Sequence, residues 1–141
     1  VAAFADMCLH LRDFGSATKV KLVNNFLVAL HIAGTAQAMA LGLKTGVDMD
    51  LLIKAVSTGS GGSTAFAIRA PWMAERKFTP QQGSAAGLAH YLDTAKDMAT
   101  EAGINTELLD CLIGVYGRAV PGIGERDVGA ILEYFETNRK S

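Results

Sequence analysis

The sequence predicts an all-α domain built around one long buried helix, and three observations point that way. Apolar residues recur at three- and four-residue spacing along most of the chain, as one face of a 3.6-residue helix requires. No stretch sustains the alternation of apolar and polar residues that a half-buried strand needs. Ala, Leu and Met are abundant, and only 3 prolines interrupt 141 residues.

The elements follow in order. A short first helix fits within residues 1–11, and Asp13 and Gly15 suit the break over residues 12–16. The long helix comes next, over about residues 18–43. Residues 22–43 carry no charge and are flanked by Lys21 and Lys44, a run that at about 1.5 Å per residue would span a bilayer. Asn24, Asn25, His31, Thr35, Gln37 and two glycines within it are costly in hydrocarbon, and no aromatic belt borders it. The run therefore reads as a helix buried on most sides by protein, with His31 as a hydrogen-bonded core residue. Gly46 closes the following loop, and Asp48 stands as N-cap of a helix over residues 49–56, where Leu51, Leu52 and Val56 recur at helical spacing. Residues 57–63 form a turn.

Residues 64–75 read as the next helix, with a break after Phe78 set by Thr79 and Pro80. Ser84 or a neighbour starts a longer helix to Ala102, which Gly103 ends. Asn105 or Thr106 caps another, in which Leu108, Leu109, Leu112, Ile113 and Tyr116 form an apolar stripe before Pro121 and Gly122 stop it. Asp127 caps the last helix, with Val128, Ile131, Leu132 and Phe135 on one face.

Composition bounds the function. Residues are 50% hydrophobic, and 13 basic groups balance 14 acidic ones, so the footprint of a nucleic-acid binder or a polybasic membrane tether is missing. That apolar fraction is high for a free monomer. Cys8 and Cys111 are far apart and fit reduced thiols of a cytoplasmic protein better than a disulfide or zinc site. The start at Val1, without signal-peptide features, reads as a cut from something longer. Residues 1–14 would be the tail of a preceding domain and residues 15–141 the helical domain.

Chemistry concentrates near the start of the long helix. Lys21 and Asn25 are four residues apart and lie within about 40° of each other on a helix, whereas Lys19 is turned about 200° away. An ammonium and a carboxamide on one face, where the helix is about to be buried, need partners or a ligand. A lysine partly desolvated there would hold its proton less tightly, which suits exchange with a substrate hydroxyl. On spacing alone, an exposed first-turn lysine and capping asparagines remain the alternative. The run Thr58-Gly59-Ser60-Gly61-Gly62-Ser63 lacks the preceding strand and the G-K-[ST] of a phosphate loop and reads as a turn. His10, His31 and His90 have no partners at metal-ligand spacing, and no Ser-His-Asp or Cys-His grouping stands out.

Gly15, Lys21, Asn24 and Asn25 form a G-x-x-x-x-x-K-x-x-N-N pattern, followed by the small-residue run Thr35-Ala36-Gln37-Ala38-Met39-Ala40-Leu41-Gly42. These residues resemble the helical C-terminal domain of the β-hydroxyacid dehydrogenases, a family that includes 3-hydroxyisobutyrate, tartronate semialdehyde and L-threonate dehydrogenases. The fold of 6-phosphogluconate dehydrogenase's C-terminal domain is a more distant relative. The likeness continues through Gly46-Val47-Asp48, Gly61-Gly62-Ser63 and the helix begun by Asp127, nearly the whole chain.

The resemblance implies an N-terminal Rossmann domain that binds NAD or NADP, a helical domain that closes the cleft and builds a dimer, and a small hydroxy acid as substrate. It implies Lys21 as the catalytic lysine, Asn25 as a substrate-binding asparagine, and Ser63 at a turn near the cleft. Three positions depart from the family pattern. Ala17 stands where a second glycine is usual, and Gln37 where a glutamate is common. The lysine of a K-D-L motif, thirteen residues before the helix-ending Gly103, is His90, followed by Tyr91 and Leu92. If His90 takes that lysine's place by the cofactor, its charge will depend on pH near neutrality. The implied activity is NAD(P)-dependent oxidation of a small β-hydroxy acid or reduction of its semialdehyde. A domain that keeps the dimer fold without catalysis is the alternative.

Overall fold

The computed structural model describes residues 15–79 and 82–137. The expected helix within residues 1–11, Cys8, His10 and Pro80 lie outside them. The described residues form α1 (Ser16–Lys44), α2 (Met49–Thr58), α3 (Thr64–Ala74), α4 (Ala85–Glu101), α5 (Glu107–Ile123), a 3-10 turn (Val128–Ala130) and α6 (Ile131–Glu136). Among these residues there is no strand, and β pairing is limited to an isolated bridge between Ser84 and Asp127. The domain is all-α, as the periodicity implied.

Helix α1 is the axis: α3, α4 and α6 pack on it, and α5 lies along α4. Its buried side chains are mostly small, with Ala29, Ala33, Ala36 and Ala40 beside Leu22, Ile32 and Met39, so neighbouring helices can approach closely. The core is completed by Phe66, Met73, Leu92, Leu112, Ile131 and Leu132. Tyr116 on α5 is fully buried, and its hydroxyl donates to the Ala29 carbonyl of α1 at 3.0 Å. Burial raises the pKa of this phenol above its usual value.

Side-chain caps sit where sequence chemistry placed them. Asp48 accepts from the Leu51 N–H at 2.8 Å, Ser84 from Gly87 at 3.1 Å, and Asp127 from Gly129 at 2.8 Å. At α5 the two candidates divide the work: Asn105 accepts from the Glu107 N–H, while Thr106, the N-cap, turns its hydroxyl to Asp110. Gly42 lets α2 approach α1, since a Cβ there would come within 2.6 Å of a Leu52 methyl.

Three expectations need correction. Helix α1 is long and apolar enough to cross a membrane by length and composition, yet it is not enclosed on most sides. Nearly half of its most apolar stretch is buried in the domain, while Val20, Val23, Leu27 and Leu41 are exposed along one stripe. His31 falls on that stripe, four residues after Leu27, so it is an exposed residue and not a core one. Pro121 does not stop α5, which runs on to Ile123 and ends at Gly124. A proline in the last turn removes one backbone hydrogen bond, and burial of Ala119 and Ile123 holds the turn in place.

Candidate functional site

Lys21 and Asn25 stand one turn apart on α1, where α4 packs against it. The Lys21 Nζ lies 4.9 Å from the centroid of the Tyr91 ring on α4. Beside this pair is a cavity of about 180 Å3, lined by Asn25 and Val28 of α1, Arg69 of α3, Ser84, Leu88 and Tyr91 at the start of α4, and Val128. The α4 N-terminus borders it through Gly83, Ser84 and Gly87, and the positive end of a helix dipole favours anionic groups there.

The electrostatics of this cavity are uneven. Arg69 is buried but already paired with the fully buried Asp127, so its charge is compensated. It also lies over Trp72, 5.1 Å from the ring centroid. Lys21 has no carboxylate partner among the described residues, unlike Lys77 with Glu75 and Lys96 with Asp110. A carboxamide that both donates and accepts and a helix N-terminus thus face a space the size of a small polar molecule, and the Lys21 ammonium lies over Tyr91, which lines that space.

Of the residues singled out in the sequence, half-buried Asn25 lines this cavity, and exposed Lys21 stands one turn before it, over the Tyr91 ring that lines the cavity too. The desolvation expected for Lys21 is not supplied by the described residues. His90 is exposed beside Tyr91, with ring centroids 6.2 Å apart. Ser63 does not line this cavity. It caps α3, accepting from the Phe66 N–H at 3.0 Å, and borders a separate pocket with Asn24 and His31. A larger apolar pocket of about 500 Å3, lined by Leu22, Phe26, Met98 and Leu109 among others, has only Lys19 and Glu101 as charged groups.

Sequence reasoning passed over Tyr91 and the Arg69–Asp127 pair. A signal existed for each: Arg69 is the single charge in the run Thr64-Ala65-Phe66-Ala67-Ile68-Arg69-Ala70, and Tyr91 sits three and four residues after Leu88 and Gly87 on the face that meets α1.

A family model described as the NAD-binding domain of NADP-dependent 3-hydroxyisobutyrate dehydrogenase matches residues 15–135. An L-threonate dehydrogenase from Cupriavidus necator is 42% identical over 66 residues, covering 47% of this chain and 22% of that protein. An NAD-dependent L-serine dehydrogenase from Pseudomonas aeruginosa is 27% identical over 134 residues, covering 90% of this chain and 45% of that protein. Among solved structures, a 3-hydroxyisobutyrate dehydrogenase from Salmonella typhimurium aligns with a TM-score of 0.76 and 25% identity, over 82% of this chain and 40% of that one. The chain thus spans less than half the length of each.

Proposed function

Since the chain belongs to the β-hydroxyacid dehydrogenase family, we propose that it is the helical C-terminal domain of an NAD(P)-dependent oxidoreductase acting on a small β-hydroxy acid or its semialdehyde. The observation that carries this reading is a small cavity lined by Asn25 and Tyr91, with the Lys21 ammonium, one helical turn before Asn25, seated over that same Tyr91 ring. NAD or NADP would supply the hydride acceptor or donor. The described residues fit the substrate side of such a site. They contain no strand leading into a glycine-rich turn, so a partner domain, proposed to be an N-terminal Rossmann domain, would hold most of the dinucleotide.

Within this chain Lys21, as the neutral amine, takes the proton from the substrate hydroxyl as it becomes a carbonyl, and as the ammonium so formed returns it in the reverse direction. Asn25 donates to and accepts from the substrate's oxygens, fixing which carbon faces the cofactor. The α4 N-terminus favours the substrate carboxylate near Ser84. His90, exposed next to Tyr91, is proposed to face the cofactor, and Ser63 remains a lesser candidate at the turn beside Asn24. The exposed apolar stripe of α1 supports a further covering surface from a second subunit or the partner domain. An inactive dimerisation domain is a second reading, supported by His90 and Tyr91 standing at the motif's lysine and aspartate.

The test is an assay of the complete protein with L-threonate, 3-hydroxyisobutyrate and L-serine, each with NAD and NADP. Lys21→Ala is expected to lower kcat by about 100- to 10,000-fold while cofactor binding is little changed. Turnover untouched by that substitution would exclude the role given to Lys21, and no turnover with any pair would favour the inactive reading.

A further inference from the structure

We propose that Tyr91 is a positioning residue that holds Lys21 in place for proton transfer, its ring seating the ammonium at the edge of the cavity that Asn25 lines. This rests on the preceding reading of Lys21 as acid/base. An exposed lysine has a long, rotatable side chain and samples many positions, which disperses the geometry that proton transfer needs. Among the described residues no carboxylate pairs with Lys21, and its ammonium instead meets the Tyr91 ring at 4.9 Å. Tyr91 is itself well placed to act as a fixed surface: it is half-buried on the 17-residue α4, next to the buried Leu92, and lines the same cavity as Asn25.

A ring suits this task in a way an acid does not. The negative face of an aromatic attracts an ammonium without taking up its N–H bonds one by one. A carboxylate would accept those hydrogen bonds and compete with the substrate oxygen for them. The aspartate position of the K-D-L motif is Tyr91 in this chain, so such a competitor is replaced by a neutral surface. Closure of the cleft over substrate would remove water from the contact and strengthen it.

The experiment compares Tyr91→Leu and Tyr91→Phe with the unsubstituted complete protein, using whichever of L-threonate, 3-hydroxyisobutyrate and L-serine it oxidises. Tyr91→Leu is expected to lower kcat about five- to thirtyfold with the KM for NAD(P) unchanged, and Tyr91→Phe, which keeps the ring, to recover most of that loss. A second readout does not depend on turnover. With lysines reductively methylated using 13C-formaldehyde, the Lys21 signal, assigned by its loss in Lys21→Arg, should carry an upfield ring-current shift. That shift should persist in Tyr91→Phe and vanish in Tyr91→Leu.

A Lys21 signal insensitive to Tyr91→Leu would overturn the proposal, and so would an equal kcat loss in both variants. If Tyr91→Leu fails to fold, judged by circular dichroism, Tyr91→Phe decides alone: a kcat lowered about fivefold or more, or a Lys21 signal without the upfield shift, overturns the proposal, and a retained shift with nearly full kcat supports it. The two readings fail separately. Turnover that survives Lys21→Ala defeats the acid/base role, whereas turnover lost with Lys21→Ala but kept in full with Tyr91→Leu defeats only the role of Tyr91.

Discussion

Arg69 and Asp127 meet across 58 positions of sequence, with side chains 6% and 0% exposed. Asp127 serves three elements at once: one carboxylate oxygen accepts from the Gly129 N–H, the other takes Arg69 of α3, and its own N–H donates to the Phe78 carbonyl. Removing either partner leaves an uncompensated charge in the interior, which costs about 3–5 kcal/mol. Arg69→Ala and Asp127→Ala should each lower unfolding free energy by about that amount in urea titrations, and the double variant by clearly less than the sum. Strict additivity would mean that the two charges do not depend on each other. The capping role of Asp127 was readable from its place before an apolar run, because capping is local. Its partner was not, because no local rule selects an arginine two helices earlier in the chain.

At the scale of elements, the ends of helices are joined by exposed ion pairs that titrate. The Arg126 guanidinium forks onto Glu133 of α6 at 2.8 and 2.6 Å and holds that carboxyl below its ordinary value, with partial burial opposing. A carboxyl lowered in the folded state contributes stability in full above its unfolded pKa of about 4.3, and loses it as pH falls through the lower folded value. Thermal melts between pH 6 and pH 3 should therefore show a smaller acid-side drop in Tm for Glu133→Gln than for the unsubstituted protein. The effect will be modest, because both side chains are 42% exposed. A Glu133→Gln profile parallel to the original would assign the acid sensitivity to other carboxylates. Helix existence, order and most caps were legible in the sequence, since periodicity, Asp48, Ser84 and Asp127 act within a few residues. The end of α5 was not, because the helix-ending tendency of Pro121 is outweighed by burial of Ala119 and Ile123 against the rest of the domain.

For the whole molecule, the described residues offer a small cavity lined by Asn25 and Tyr91 but no strand of a nucleotide fold, and one stripe of the central helix is left open. If a partner domain holds most of the dinucleotide, as proposed, residues 1–141 by themselves should bind NADH weakly in a fluorescence titration. Tight binding by this chain alone would contradict the proposed division of labour. The sequence by itself determined the helical class, the order of the helices, the family likeness and the shared face of Lys21 and Asn25, because these follow from spacing along one helix or from short motifs. Tertiary structure alone decided that Tyr91 lies under Lys21, that Ser63 faces a different pocket from Asn25, and that His31 lies on the open side of α1. Each of those depends on which face of one helix meets another, and that is set by the summed packing of side chains distant in the chain.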